Sequence, residues 1–329
     1  MTGKVDQEDL EETVFSRTGA HDDDVLMGPA YGEDAAALRV GDQVLVASTD
    51  PITFAADRIG TLAVNIATND VAACGATPRW LMPTLFVPEK SGAISAGTEE
   101  SELDRIASQI DRAARDVNAA IVGGHTEYAD RSRPLVSTTC LGLTDRYVPT
   151  GGADPGEEIV LTKSAGIEAG AILATDFRDT LTTDLPEDVI DAAAAGLNDT
   201  SVLPEATVLR ERATAMHDPT EGGVLAGAIE MAVGSGVSLT LRREEIPVRE
   251  AVAAVCETAE IDPLGTLGSG ALLAAVPEGE GEEAVAEVEA EGITAAVVGH
   301  VEATDEPGVR LDNTFFERAP TDEMYDLWE

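Results

Sequence analysis

Three acidic residues stand near the ends of short elements in the first quarter of the sequence. Asp34 belongs to Gly32-Glu33-Asp34, Asp50 to Ser48-Thr49-Asp50-Pro51, and Asp70 to the stretch IGTLAVNIATNDVAACGATP spanning Ile59 to Pro78. Carboxylate oxygens are the preferred ligands of hard cations, so the three suggest one shared oxygen-ligand site. Asp70 would serve equally as a cap on a neighbouring loop. Two glycine-rich stretches have complementary chemistry. Gly123-Gly124-His125-Thr126-Glu127 follows an apolar run, where paired glycines let backbone N–H groups approach an anion. A plain tight turn explains the same residues. Asp218-Pro219-Thr220-Glu221-Gly222-Gly223 opens an apolar helix, whose N-terminal dipole favours phosphate and equally favours an N-capping Asp or Thr. Carboxylates for magnesium and glycine turns for phosphates together point to nucleoside triphosphate chemistry. Neither GxxxxGK[ST] nor GxGxxG occurs, which excludes the P-loop and Rossmann solutions.

Helical periodicity places Ile59, Leu62, Ala63, Ile66 and Ala73 on one apolar stripe, with Asp70 in its middle and Asn65 and Asn69 beside it. A carboxylate aimed at a core needs a cation or a set of donors. The strand-like VLVAST (44–49) leads into this helix, which Gly75 and Pro78 close. WLMPTLFV (80–87), AAIVGG (119–124) and RPLVSTTCLGL (133–143) read as strands, with an amphipathic helix from Glu99 to Asn118 between the first two. Strands and helices therefore alternate, as in a sheet layered with helices on one face. The GGADPG run at 151–156 suggests a domain boundary. The expected organisation is an arm over 1–28, one domain over 29–152 and a second over 153–329. The second domain begins with the strand EEIVLTK and reads as helices near 167–174, 186–197, 204–213, 224–233, 248–259 and 279–292. Strands are expected at VSLTL and AAVVGHV.

The balance of 62 acidic against 21 basic residues, a net charge of −41, excludes a general binder of nucleic acid or anionic membrane. The acid excess is spread along the chain, which suits a salt-rich, halophilic cytoplasm in which cations screen the repulsion. No run approaches the length of a membrane span and no secretory signal opens the chain, so a cytoplasmic protein is expected. Cys74, Cys140 and Cys256 are isolated in apolar segments and read as buried free thiols. His21-Asp22-Asp23-Asp24 reads as a solvated acidic turn.

Taken in order, Gly32-Glu33-Asp34-Ala35-Ala36, Thr49-Asp50, Asn69-Asp70-Val71-Ala72 with Gly75-Ala76-x-Pro78, Gly123-Gly124-x-Thr126 and Asp218-Pro219-Thr220-x-Gly222-Gly223 resemble the aminoimidazole ribonucleotide (AIR) synthase superfamily. That superfamily includes thiamine-monophosphate kinase, selenophosphate synthetase and the hydrogenase-maturation carbamoyl dehydratase. The resemblance spans about residues 28–302, and Ile246-Pro247-Val248 with Cys256-Glu257 brings it nearest to the hydrogenase-maturation branch. It implies an α/β (α+β) fold: a ferredoxin-like, ATP-binding N-terminal domain that pairs into a dimeric barrel, and a C-terminal α/β domain. It further implies that Asp34, Asp50 and Asp70 hold magnesium on ATP. Thr49, Asn69, Gly123, Gly124, Thr126, Thr220, Gly222 and Gly223 would line the nucleotide, with Asp218 facing the phosphates or substrate.

The common chemistry moves the terminal phosphoryl of ATP onto a nucleophile of a small substrate. Alternatives are a small-molecule kinase like the thiamine-monophosphate enzyme, or a nucleotide-binding partner that docks a maturation-factor protein without turning over. Three positions depart from the hydrogenase-maturation pattern. That enzyme works through a cysteine at its extreme C-terminus, whereas this sequence ends Met324-Tyr325-Asp326-Leu327-Trp328-Glu329, so a terminal-cysteine route is not expected. His125 follows the paired glycines, as a phosphate or substrate contact or a structural imidazole. Glu221 replaces an Arg. Lys163, the lone lysine of the central chain, is either a phosphate contact or a strand-end residue reaching solvent.

Overall fold

The computed structural model describes Val5 and residues 7–53, 57–88 and 101–328. Lys4, Lys90 and the expected helix start at Glu99 lie outside the described residues. The chain forms two sheets. The first comprises β1 (Val25–Met27), β2 (Ala36–Val40), β3 (Gln43–Ile52), β4 (Thr77–Pro88), β5 (Ala120–Ile121), β6 (His125–Ala129) and β7 (Leu135–Thr144). Its order is β1-β2-β3-β7-β4-β5, with β6 also pairing with β4. β7 runs antiparallel to both β3 and β4, so β3 and β4 are parallel, and the helix Ile59–Ala73 is the crossover between them. The helix Glu102–Asp116 makes a second crossover from β4 to the parallel β5. Both helices therefore lie on one face.

The sequence underestimates this sheet at its edge. AALRV shows no strict alternation, yet Gly41 (φ +63°) and Asp42 turn it back on β3 as a hairpin, with Val40 opposite Gln43. β1, inside the expected N-terminal arm, pairs with β2. AAIVGG is a strand only at Ala120–Ile121; the chain breaks at the glycines and resumes as β6.

The second sheet comprises β8 (Glu158–Thr162), β9 (Ala215–His217), β10 (Ser238–Leu241), β11 (Leu273–Val276), β12 (Ala295–Glu302), β13 (Gly308–Leu311) and β14 (Thr314–Phe316). Their order is β14-β13-β10-β12-β8-β11-β9. The GGADPG run lies between the two sheets.

The Ile59–Ala73 helix is the seam of the molecule. Every residue in it except Thr61 is buried, although only one apolar stripe was expected. Sheet and helix cover part of it, with Gly60 packed so tightly on Glu102–Asp116 that a Cβ would lie 2.6 Å from the Ile106 carbonyl. The second half of the chain covers the rest: Ala72 and Ala73 join a core with Val202, Ala206 and Leu209. A helix enclosed on all sides must partner its polar residues. Asn65 donates to Thr200 Oγ1 (2.9 Å), and Asn69 donates to the Thr200 carbonyl (2.7 Å) while accepting from the Val202 N–H (2.9 Å). Among the described residues no helix is long and apolar enough to cross a membrane.

Candidate active site

Strand alternation and the seam helix bring the acidic residues together. Ser48 and Asp50 point inward from β3, toward Asp70 on the helix, while Thr49 points to the opposite face and meets Thr139 Oγ1 at 3.0 Å. Ser48 Oγ contacts Oδ2 of Asp50 at 3.0 Å and also contacts Oδ2 of Asp70. One hydroxyl proton cannot serve two carboxylates. Ser48 can therefore donate to only one of them, which leaves the other in need of a proton or a cation. Burial, followed by the charges of Asp50, Asp218 and Asp34, accordingly pushes the Asp70 carboxyl well above the usual range.

Asp218 enters from the other half of the chain, directly after β9. It is fully buried, and among the described residues neither carboxylate oxygen meets a hydrogen-bond donor from another residue. Burial and then Asp34 push its pKa well upward, and His217 opposes them. Four carboxylates from four separate segments thus share one interior region.

His217 was not foreseen as a site residue. Its Nδ1 lies 2.8 Å from Asp34 Oδ2 and its Nε2 3.0 Å from Glu230 Oε2, with the imidazole 1% exposed. Burial alone would lower its pKa, but the two flanking carboxylates outweigh burial and hold it well above the usual value. His217 therefore ties the Asp34 turn to the helix Gly223–Ser235 as an internal cation. Its signal in the sequence was its place in a short apolar run beside the Asp218 motif. Glu33 makes a second tie, accepting from Tyr147 Oη (3.1 Å) and from the N–H groups of Thr150 (3.3 Å) and Gly151 (3.0 Å). Gly32 (φ +77°) permits this close packing, since a Cβ there would lie 2.8 Å from Glu230 Cβ.

Other expected site residues lie farther off or are engaged elsewhere. Asn69 is committed to the loop 200–202. Gly124 flanks Pro83, and the register Asp50–Thr138–Pro83 places it three strand spacings, about 14 Å, from Asp50. At Gly124 (φ +145°) a Cβ would collide with the Pro83 carbonyl, a packing reason for glycine. His125 and Thr126 are exposed on β6, with His125 Nε2 3.3 Å from Glu127. Lys163 is buried rather than reaching solvent: its Nζ lies 2.9 Å from Glu205 and also donates to the Ser201 carbonyl. The Gly222 N–H donates to Asp322 (3.1 Å) and the Gly223 N–H to the Thr220 carbonyl (3.1 Å).

The donor set suits a hard cation. The ligands are all-oxygen, their charges repel one another, and Asp218 is a buried carboxylate without an outside donor. Among the described residues no three His, Cys, Asp or Glu side chains stand close enough to ligate one ion together. Asp34 is turned onto His217, and Ser48 sits between Asp50 and Asp70.

Residues 32–144 match the N-terminal domain, and residues 154–312 the C-terminal domain, of the AIR synthase related protein family. The carbamoyl dehydratase HypE of Rhizobium leguminosarum bv. viciae is 31% identical over 319 residues, covering 93% of this chain and 86% of that protein. The crystal structure of the hydrogenase maturation protein HypE in complex with ATP superposes with a TM-score of 0.69 at 25% identity, covering 97% of each chain. A ThiL structure complexed with AMPPCP and TMP has a TM-score of 0.74 at 20% identity, covering 97% of this chain and 98% of that one, and shows the shared fold.

Proposed function

Because this chain belongs to the AIR synthase related family, we propose that it binds ATP with magnesium between its two sheets and uses the terminal phosphoryl group to activate a small substrate. The observation that supports this most is Asp218, a buried carboxylate with no outside donor among the described residues, which enters from the second half of the chain the region that holds Asp34, Asp50 and Asp70. Magnesium held by Asp34, Asp50 and Asp70 would spread the charge that develops on the phosphates. The protein's own contribution is placement. The enclosed seam helix fixes Asp70, strand alternation fixes Asp50, and the 217–223 turn presents Asp218 and Thr220 from the opposite side. Burial of Asp70 and Asp218 keeps bulk water from competing at their oxygens and strengthens their interactions with charge. Gly123, Gly124 and Thr126 would sit by the nucleotide. We assign the contact with the reacting phosphates to Asp218 rather than to His125, which is exposed, or Lys163, which is held by Glu205.

The test is ATP binding and hydrolysis by the purified protein in molar KCl, with and without magnesium, beside Asp50→Asn. Magnesium-dependent binding that is lost in the variant is expected, and its absence from the wild-type protein would overturn the reading. ADP formed only with an added acceptor would identify a kinase.

The chain is also proposed to act as a homodimer. The face of the first sheet opposite the helices carries Leu45, Trp80, Phe86, Leu141 and Leu143, all only half-buried, beside the exposed Met82. A second copy placing the same face against it would cover this surface, as the family resemblance implies. Light scattering is expected to give twice the chain mass for the wild-type protein and the single-chain mass for Leu141→Asp. A monomeric wild type would refute the dimer.

A further inference from the structure

The turn that carries Asp218 and Thr220 is held from behind by a residue more than a hundred positions further on. Asp322 is 4% exposed, and its two carboxylate oxygens are divided between two segments. Oδ2 accepts the Gly222 N–H at 3.1 Å, while Oδ1 accepts the Thr266 hydroxyl at 2.9 Å and the Met324 N–H at 3.0 Å. Two residues on, Met324 is fully buried among Leu173, Val252, Cys256 and Leu267, which anchors the segment.

The surfaces so joined are backbone packed on backbone. The Gly268 N–H donates to the Thr220 carbonyl at 2.9 Å, and the Leu225 N–H donates to the Leu264 carbonyl at 2.9 Å. A Cβ on Gly223 (φ +61°) would collide with the Thr266 carbonyl, and one on Gly268 would lie 3.0 Å from Gly223 Cα. Side chains cannot enter this contact to stiffen it. Both Gly222 (φ +75°) and Gly223 lie in the left-handed region, where glycine is also freest to leave. An external restraint is required, and the Asp322 carboxylate accepts a bond from each side of the contact. It also takes the place at the start of the Gly223–Ser235 helix that an anion would otherwise fill.

We propose that Asp322 is a positioning residue for the phosphate-facing turn: it clamps Gly222 to the Thr266 loop and thereby fixes where Asp218 and Thr220 are presented. The assignment rests on the functional reading above for its catalytic consequence, but not for the clamp itself. It also accounts for Gly222 as a structural rather than a phosphate-binding glycine, because its N–H is already donated.

The experiment has two arms, run on the full chain. In the first, amide hydrogen exchange is measured without nucleotide for wild type, Asp322→Ala and Asp322→Asn. In Asp322→Ala the amides of 220–223 are expected to exchange at least about tenfold faster, as loss of a hydrogen bond to a charged acceptor implies, while Ala226–Ala232 stays protected. Asp322→Asn keeps one acceptor oxygen and is expected to fall between them. Unchanged exchange at 220–223 in Asp322→Ala overturns the clamp, as does loss of protection throughout the helix, which would mark a general packing role. In the second arm, the affinity for ATP is measured with and without magnesium. A drop of about tenfold confined to the magnesium-dependent part, partly restored in Asp322→Asn, is expected. Faster exchange with unchanged affinity would overturn the positioning role. A wild-type protein that binds no ATP would instead refute the functional reading, and the clamp would stand or fall on the exchange arm alone.

Discussion

Asp218→Asn is expected to lower magnesium-dependent ATP turnover by about a hundredfold, because a neutral amide neither balances the charge of a bound cation nor accepts a proton from the attacking nucleophile. The same change is expected to leave the melting temperature of the metal-free protein unchanged or raised. The two halves of this expectation have one cause. Without a cation, the Asp218 carboxylate is buried with no outside donor among the described residues, and the charges of Asp34 and Asp50 oppose its own. Its ionised form opposes folding, and an amide of the same shape removes that repulsion. With the cation and nucleotide present, the same carboxylate becomes a contributor. Steady-state turnover and calorimetry on the same preparations check both halves. A variant that loses activity and also melts well below the wild type would show that Asp218 holds the fold together instead.

The largest loss of stability is expected at His217. His217→Gln leaves Asp34 and Glu230 facing each other without the cation between them, and breaking a buried pair in this way costs about 3 kcal/mol or more. The imidazole is 1% exposed, so solvent screens little of this. The pH dependence follows from the direction of the shift. The folded-state pKa of His217 lies well above its ordinary value of 6.5, so folding takes up a proton. The stability supplied by the charged imidazole is complete below pH 6.5 and is lost as pH rises through the raised folded-state value. Urea unfolding at about pH 6 and about pH 9 is therefore expected to show a gap between wild type and variant that narrows at the higher pH. A gap that stays constant or widens would mean the imidazole is held neutral.

Much of this site could be read from local pattern. Asp70 lies in the middle of an apolar stripe, so a carboxylate pointing into the interior follows from helical spacing alone. Asp50 ends a strand that leads into that helix. Burial of all three cysteines follows from the apolar segments around them. Three features escaped the sequence, the first although it was local. Alternation from an inward Asp50 would have turned Thr49 outward, but the resemblance grouped the two as one motif. The seam helix looked amphipathic because its other faces are covered by residues after 160, and no periodicity reports a contact so distant in sequence. Gly222 looked like a phosphate glycine because its true acceptor, Asp322, is a hundred residues away. Glycine at a turn is demanded equally by a ligand and by close backbone packing, and only the tertiary structure distinguishes them.

The sealed thiols have a practical consequence. Cys74 lies behind the acidic cluster, where burial and the neighbouring carboxylates raise its pKa well above the usual thiol value. Burial holds Cys140 and Cys256 at about 12. Thiolates carry the reactivity of cysteine, so all three stay silent toward maleimides and disulfide reagents near neutral pH. One cysteine added on the exposed Tyr128 strand and another on the Gly281–Ala290 surface helix would then be the two reactive positions of the folded chain. The native sequence is in effect already prepared for paired spin or fluorescent labels that report how the two sheets move against each other.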